Sequence, residues 1–373
     1  MLRTRSVGLG LGLLAGLALS IGCPSASQGP RLESTTVPGG AYAIGIPAGW
    51  EQTWTEAPAG RGLSELQLSA PGEQWPGYVN ITVLHFAETQ RTPERYLFDH
   101  QRAASGREGD VRTGFKEIVV AGRGAKVFEE AIVRYPPAGM SGDKVPSLVR
   151  HVVVPASRGF FVLKYDAPEG SAQEYQPVFD RFVESFAPAD SSQPLAQDPI
   201  AAREYEVLAA LFGVRAPSGP DAPQFFNDVP ECRLVAGSTM AVDRPNEPGW
   251  PGEEFGALAP DLIEDYLAKN EKAWPLTDRI MVPDLVVISP EELEARLRAS
   301  SQDPAAEGES VLRLRGGYVT LSRVGFNSAG DLALLRTALA LPGAMRAEYL
   351  VLMKKQGHAW ALAKVAMEGL IYQ

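Results

Sequence analysis

The chain has 373 residues, of which 45% are hydrophobic, and its formal net charge is −10. This length exceeds that of a typical single domain, so the sequence predicts two folded domains. The apolar fraction excludes wholesale disorder, and an acidic chain without a Lys/Arg-rich run argues against nucleic acid as a partner. The two cysteines, Cys23 and Cys232, are too few for a disulfide scaffold or a cysteine-based zinc site.

The N-terminus has the layout of a cleaved export signal. Arg3 and Arg5 precede an uncharged run of 16 residues from Val7 to Gly22, whereas a bilayer span needs roughly 20 apolar residues. The run ends in "LSIGC", which resembles the lipobox of bacterial lipoproteins. In that motif the cysteine becomes the lipidated first residue of the mature chain. Ser20 stands where the motif prefers Leu, so ordinary signal cleavage stays open as the alternative.

The lipobox resemblance implies a signal peptide at residues 1–22, cleavage between Gly22 and Cys23, and lipid attachment, including palmitate, at Cys23. The lipid would make the membrane a partner of the chain. Pro24 is not Asp, which by resemblance to lipoprotein sorting rules favours the outer membrane, with the protein facing the periplasm. Residues 23–38 are small, polar and rich in Pro and Gly, and predict a flexible tether.

Residues 39–188 predict a first α+β domain. Alternating apolar residues predict strands in "YAIGIPAGWEQTW", "LSELQLSA", "GYVNITVLHF", "FKEIVVA", "AKVFEEAIVRY", "SLVRHVVVP" and "GFFVLKYDA". Thr92 is a candidate N-cap for a helix between the third and fourth of these runs. A second helix over 171–186 follows the last strand, with Ser171 and Glu174 as its capping box. Its apolar stripe predicts an antiparallel sheet covered by helices.

This order of elements resembles the PsbP-like fold, an α-β-α sandwich shared by photosystem II extrinsic subunits and DcrB-type bacterial lipoproteins. The resemblance covers about 40–188 and lies in "YAIGIPAGW", "TPERYLFDHQ" and "GFFVLKYDAP…FDRFVESF". These motifs are core and turn positions. Members of the fold act mainly as docking or assembly modules, so the resemblance implies no enzyme activity.

A linker at 189–198 separates this domain from a second α+β domain at 199–373. Asp198 is a candidate N-cap for a helix that begins at Pro199. Further helices are predicted over 261–274 and from Ser289, which forms a capping box with Glu292. Strands are predicted in "CRLVAGSTM" and "DLVVIS", and the C-terminus predicts an antiparallel meander in "GYVTLSRVGFN", "DLALLRTALAL", "EYLVLMKK" and "WALAKVA".

The stretch "LSRVGFNSAGDLALL…EYLVLMKKQGHAWAL" resembles an uncharacterised bacterial family with an "SRVGFN" strand before its meander. The match spans roughly 203–373, and the closing "EGLIYQ" departs from the Trp-rich strand usual in that family. The family has no assigned activity, so the resemblance bears on the fold and leaves the function open.

The sequence carries no recognisable catalytic, cofactor or metal motif. His85, His100, His151 and His358 form no pair at helical spacing, and His85 and His151 are predicted to be half-buried strand residues. Arg323 and Asn327 are the candidate partner contacts, because an Arg beside an exposed loop can bind a carboxylate. An internal ion pair for Arg323 and a turn role for Asn327 are the alternatives.

The leading hypothesis is a lipid-anchored cell-envelope protein that acts as a binding or assembly module, with an envelope protein as a possible partner and no cofactor. The alternatives are an envelope hydrolase whose site is assembled only in three dimensions and a small-ligand carrier. A carrier would need an enclosed apolar cavity between helix 171–186 and its sheet. A surface lined by exposed aromatic residues would favour the binding module.

Overall fold

A computed structural model describes residues 30–56, 63–72, 77–87, 91–103, 111–135, 142–195, 197–214, 233–242, 255, 258–302, 317–341 and 345–372. These residues form two α+β units whose sheets are largely antiparallel, which confirms the predicted fold class.

The first unit is built on an eight-stranded antiparallel sheet in the order β3-β4-β5-β10-β9-β8-β6, with β7 also paired to β8. A smaller sheet has the order β1-β2-β11. The strands are β1 (Leu32–Thr36), β2 (Tyr42–Pro47), β3 (Glu51–Glu56), β4 (Leu63–Ser69), β5 (Asn80–Phe86), β6 (Val111–Arg112), β7 (Lys116–Val120), β8 (Arg123–Arg134), β9 (Val145–Pro155), β10 (Phe160–Pro168) and β11 (Ala187–Pro188). The helices are α1 (Pro93–Ala103) and α2 (Glu169–Ser185).

The two helices cover opposite faces of the large sheet, which makes the first unit an α-β-α sandwich. Successive residues of β10 point to opposite faces. On one face Leu163 belongs to the core that also holds Phe179 of α2. On the other face Val162 packs with Tyr96 of α1. Burial of each such large apolar side chain contributes about 1.5–3 kcal/mol, so the apolar runs of the central strands stabilise both layers.

The second unit has a sheet in the order β13-β12-β14-β16-β17-β18, with β15 also paired to β16. Its strands are β12 (Leu234–Ala236), β13 (Val286–Ile288), β14 (Tyr318–Leu321), β15 (Gly325–Phe326), β16 (Leu332–Leu341), β17 (Met345–Gln356) and β18 (Ala359–Tyr372). Its helices are α3 (Ala202–Phe212), α4 (Pro260–Lys269) and α5 (Pro290–Gln302).

The C-terminal antiparallel meander of the second unit is confirmed, but β12, the first strand of this unit, forms parallel pairs. β12 pairs parallel with both β13 and β14. The intervening segments contain helices, which is how parallel neighbours are normally connected. The three-residue strands β12 and β13 are too short to show by themselves whether they pair parallel or antiparallel.

Helices α3 and α4 lie on opposite faces of the meander. Leu335 of β16 shares a core with Leu208 of α3, whereas the adjacent Leu334 packs with Tyr266 of α4. Close approach of α4 to β15 requires Gly325, because a Cβ atom there would lie 2.4 Å from Cβ of Tyr266. The strand alternation therefore divides the apolar residues of the meander between two helices.

The helix caps are partly as predicted. Thr92 Oγ1 accepts from the Arg95 N–H at 3.2 Å, and Ser289 Oγ accepts from the Glu292 N–H at 3.1 Å, which confirms both N-caps. The predicted capping box at Ser171 is wrong, because α2 already begins at Glu169 and the Ser171 hydroxyl donates to the Pro168 carbonyl.

Two further helix ends differ from the prediction. The helix α3 begins at Ala202 rather than Pro199, because Asp198 accepts from the Ile200 N–H in the turn before the helix. The helix α4 ends at Lys269 rather than at residue 274. Asn270 then donates to the Tyr266 and Arg323 carbonyls, which ends the helix through tertiary contacts.

The predicted tether and linker contain ordered segments. Residues 32–36, within the predicted tether, form β1 and pair with β2. In the predicted linker, Arg123 donates to Asp190 at 3.3 Å and to the Gln193 carbonyl at 3.2 Å. Part of each segment is therefore bound to the first unit, because its backbone and side chains find hydrogen-bond partners there.

The two units meet at the start of α1. The Thr92 N–H donates to Asp278 at 2.7 Å, and Arg95 donates to the carbonyls of Ile280 and Val282 at 3.1 and 3.0 Å. Arg95 is 6% exposed, so this contact is buried. One helix therefore joins the first sheet to the second unit.

No helix in the described ranges is both long and apolar enough to cross a membrane.

Candidate metal centre beside an exposed sheet edge

Three side chains with metal-ligating atoms meet on the face of the first sheet that α1 covers. His151 lies on β9, and the strand register pairs it with Phe128 of β8, two residues before Glu130. Because residues two apart in a strand share a face, Glu130 and His151 project from the same side. His100 approaches them from α1. The sandwich thus brings together three side chains that are far apart in sequence.

The carboxylate of Glu130 lies between two imidazoles. Its Oε1 atom is 3.2 Å from His100 Nδ1, and its Oε2 atom is 3.5 Å from His151 Nε2. The ligating atoms of the three residues all lie within 4.8 Å of one another. The side chain of His151 is 2% exposed and that of His100 is 28% exposed. The cluster is therefore mostly buried and opens towards solvent at His100.

Aromatic rings hold the two imidazoles in place. The ring of Phe128 stacks on that of His151 with centroids 4.5 Å apart. The rings of Tyr96 and His100 also lie together, with centroids 4.4 Å apart. A hydrogen bond of 3.0 Å joins Tyr96 Oη to His151 Nδ1. This contact leaves Nε2 as the nitrogen of His151 that faces Glu130.

Burial and hydrogen bonding set the protonation states of the cluster. Burial lowers the pKa of His151 from 6.5 to about 4, although the Glu130 carboxylate opposes this change. For Glu130, burial acts to raise the pKa, but the two adjacent imidazoles outweigh it and the pKa lies below its usual value. At neutral pH His151 is therefore neutral and Glu130 is ionised, which are the forms that bind metals.

Exposed apolar side chains lie along the outer edge of the same sheet. Val119 on β7 is 75% exposed, and Phe115 and Tyr135 are 36% and 65% exposed. The ring of Phe115 meets Phe128 edge-on at 5.3 Å, and Phe128 in turn stacks on His151. The exposed edge and the buried cluster are thus separated by one aromatic ring.

Arg323, a predicted partner contact, forms an internal ion pair with Glu204 of α3. Arg323 Nη2 is 2.7 Å from Glu204 Oε1, and Glu204 is fully buried. The Val324 N–H also donates to Glu204 at 3.0 Å, and the guanidinium lies over the Trp274 ring at 5.4 Å. The structure places Arg323 in the internal role that the sequence left open as its alternative.

Asn327, the other predicted contact, organises the hairpin turn between β15 and β16. Its Oδ1 atom accepts from the N–H groups of Asp331 and Leu332 at 3.1 and 2.9 Å. Its Nδ2 atom donates to Asp331 Oδ1 at 2.7 Å. This is the turn role that was the alternative for Asn327.

The remaining predictions concern the N-terminal processing site, the second cysteine and the cavity of a ligand carrier. Gly22, Cys23 and Cys232 are outside the described residues, so cleavage and lipid attachment stay predictions. A cavity of about 220 Å³ lies between β1 and β3–β4, next to Trp54. It is not at the helix 171–186 interface that a carrier would need, where Phe179 instead stacks on the β10 residue Tyr165 at 5.4 Å.

Sequence patterns missed the His100, Glu130 and His151 cluster. Histidine spacing can reveal ligands on one helix, but these residues lie on a helix and two strands. One signal was present: His151 interrupts the apolar run "VRHVVV", which is typical of a strand buried on both faces. A polar side chain at such a position must find a buried partner, and His151 is fully buried rather than half-buried.

No protein-family model matches the chain, and no curated protein is significantly similar to it in sequence. Similar solved structures include CyanoP, the cyanobacterial PsbP of Synechocystis, at a TM-score of 0.30 and 13% identity, over 45% of this chain and 98% of CyanoP. Another is LpqN, described as involved in cell envelope biogenesis of Mycobacterium tuberculosis. Its TM-score is 0.27 and its sequence identity 14%, over 42% of this chain and 90% of LpqN.

A third similar structure is a Bacteroides thetaiotaomicron protein, at a TM-score of 0.28 and 10% identity, over 48% of this chain and 58% of that one. Scores at this level carry no argument about function. The class of protein therefore rests on the topology itself: two α+β units, the first an α-β-α sandwich.

Proposed function

We propose that this chain is a lipid-anchored cell-envelope protein that acts as a binding or assembly module. The observation that carries the proposal is the edge strand β7, where Val119 and the preceding Phe115 are exposed apolar residues. Sheet edges normally avoid exposed apolar side chains, because unpaired strands with such residues associate with other chains. This edge is therefore the candidate interaction site.

The N-terminal sequence supports a position close to a membrane. Lipid on Cys23 would lie nine residues before Leu32, where β1 begins. A fully extended segment of that length reaches about 30 Å. The proposed anchor would therefore hold the first unit near the bilayer surface, and Pro24 favours the outer membrane facing the periplasm.

The anchor is tested by cell fractionation and labelling with a fatty-acid analogue. Wild-type protein should partition with membranes and incorporate the label, and Cys23→Ser should do neither. Cys232→Ser is the matched control and should behave as wild type. Unchanged partition and labelling of the Cys23→Ser protein would refute lipid attachment.

The binding surface is tested by crosslinking in envelope membranes, followed by purification of the full chain. Val119→Asp should reduce the crosslinked partner at least fivefold, because it places a charge in the apolar edge. Thr53→Asp changes an exposed residue of β3, at the opposite edge of the sheet, and should leave crosslinking unchanged. Recovery of no partner, or equal loss in both variants, would contradict this surface.

A further inference from the structure

We propose that His100, Glu130 and His151 bind one divalent transition-metal ion, with zinc as the best fit. The site is separate from the exposed edge and from the predicted lipid anchor. It rests on the placement of three ligating side chains by three different elements, on their spacing, and on the orientation of the most buried one.

The spacing of the ligand atoms fits a tetrahedral ion. With bonds of about 2.0–2.1 Å, a tetrahedral zinc site separates its ligand atoms by about 3.3 Å. Glu130 Oε1 is 3.2 Å from His100 Nδ1 and Oε2 is 3.5 Å from His151 Nε2, so each imidazole lies about that far from one oxygen of the carboxylate. With one ligating atom taken from each residue, all three separations are at most 4.8 Å.

The hydrogen bond to Tyr96 orients the most buried ligand. Metal-binding histidines usually use their second ring nitrogen in a hydrogen bond that fixes the tautomer. His151 shows this arrangement, since Nδ1 contacts Tyr96 Oη at 3.0 Å. Nε2 is then aimed at Glu130, and in the described part of the chain this buried atom has no hydrogen bond of ordinary length.

The chemistry of the ligands selects the metal. Two imidazoles and one carboxylate suit zinc and neighbouring transition metals, whereas calcium and magnesium prefer oxygen ligands throughout. Three protein ligands leave a fourth position, which the partly exposed side at His100 opens to water. The rival interpretation is a metal-free hydrogen-bonded triad that only connects α1 to the sheet.

The test is titration of the metal-free full chain with Zn²⁺ by calorimetry, with Co²⁺ absorption as a second measurement. The expected result is one ion per chain and a tetrahedral cobalt spectrum. His100→Gln and Glu130→Gln should each weaken binding at least tenfold. Tyr96→Phe removes the hydrogen bond that orients His151 and should weaken binding about tenfold.

Matched controls separate this site from surface binding. Glu129→Gln alters the neighbouring residue on β8, and His358→Gln alters an exposed hairpin histidine; both should bind as wild type. Circular dichroism checks folding, and both ligand variants change partly exposed residues rather than the buried His151. Absence of saturable binding, or equal binding by His100→Gln and wild type, would overturn the proposal.

The outcome is independent of the proposed binding function. Crosslinking to a partner through the exposed edge requires no metal, and zinc binding requires no partner. Zinc binding without a crosslinked partner would support this site and refute the docking surface. A crosslinked partner without zinc binding would refute this site and support the docking surface.

Discussion

Two inward-facing carboxylates, the partly buried Glu130 in the first unit and the buried Glu204 in the second, meet different kinds of partner. Glu204 is fully buried and receives hydrogen bonds from the Arg323 guanidinium and the Val324 N–H. Glu130 instead faces two imidazoles, at 3.2 and 3.5 Å. Both carboxylates sit between elements that are distant in sequence, and both connect a helix to a sheet.

The difference separates a structural pair from a candidate binding site. A guanidinium and a backbone N–H are donors only, so the partners of Glu204 offer no lone pair to a metal ion. An imidazole in its neutral form keeps one nitrogen lone pair, so the partners of Glu130 can join it in binding a metal ion. The same carboxylate side chain thus has different capabilities because of what surrounds it.

The largest expected effect comes from the pair that cannot bind a metal. Glu204→Gln leaves Arg323 without its buried counter-charge, and removing one partner of such a pair costs about 3–5 kcal/mol. Urea unfolding should show this loss in the free energy of unfolding, with or without zinc. Glu206→Gln on the exposed face of α3 should change it by less than about 0.5 kcal/mol. A loss below about 1 kcal/mol for Glu204→Gln would show that the ion pair is not structural.

Asp278 sharpens the comparison, because it is a buried carboxylate that accepts from the Thr92 N–H rather than from a paired cation. Burial raises its pKa from 3.8 to about 7, against the opposing effects of Thr92, Arg91 and Arg95. The folded protein therefore binds this proton more tightly than the unfolded one does. The resulting stability is present below about pH 4 and is lost as the pH rises to 7 and beyond.

The change in the pKa of Asp278 corresponds to about 4 kcal/mol in the free energy of unfolding. Asp278→Asn should remove this part of the pH dependence, and the exposed Asp143→Asn should not. Urea unfolding from pH 4 to 8 measures the difference between variants. Parallel pH profiles for Asp278→Asn and wild type would contradict the assignment.

Zinc should stabilise the first unit through Glu130 and leave the Glu204 pair unaffected. At a zinc concentration 100 times the dissociation constant, binding to the folded state alone adds about 2.7 kcal/mol. Wild type and Glu129→Gln should show this gain in unfolding experiments, and Glu130→Gln should show none. An equal zinc effect in Glu130→Gln would place the metal at another site.

The smallest expected effect concerns Asn327, which lies four residues after Arg323. Asn327→Ala removes two accepted backbone hydrogen bonds in a partly exposed turn, and should cost about 1 kcal/mol. Ala329→Ser, at an exposed position of the same turn, is the control. A cost as large as that of Glu204→Gln would mean that the turn carries more of the stability than its exposure indicates.

Local patterns predicted much of the secondary structure. Thr92 and Ser289 were recognisable as N-caps because a side-chain oxygen three residues before a backbone N–H is a local arrangement. The start of α3 was misjudged because Asp198 caps a turn instead of the helix. The end of α4 was misjudged because Asn270 bonds to Arg323, 53 residues away in sequence.

Local sequence patterns did not predict the candidate metal centre. His151 and Glu130 meet only because the β8–β9 register places them on one face, and His100 joins them only because α1 crosses that face. The Arg323–Glu204 pair spans 119 residues of sequence. Apolar periodicity specifies which face of an element is buried, but not which polar groups of other elements it meets there.

The sequence by itself determined the α+β class, the antiparallel meander and the apolar faces, because the spacing of apolar residues matches the period of a helix or of a strand. Only the tertiary structure decided the parallel pairing of β12, the union of the two units at Arg95, and the partners of the buried carboxylates. Those features depend on strand register and helix placement, which arise when distant segments pack against one another.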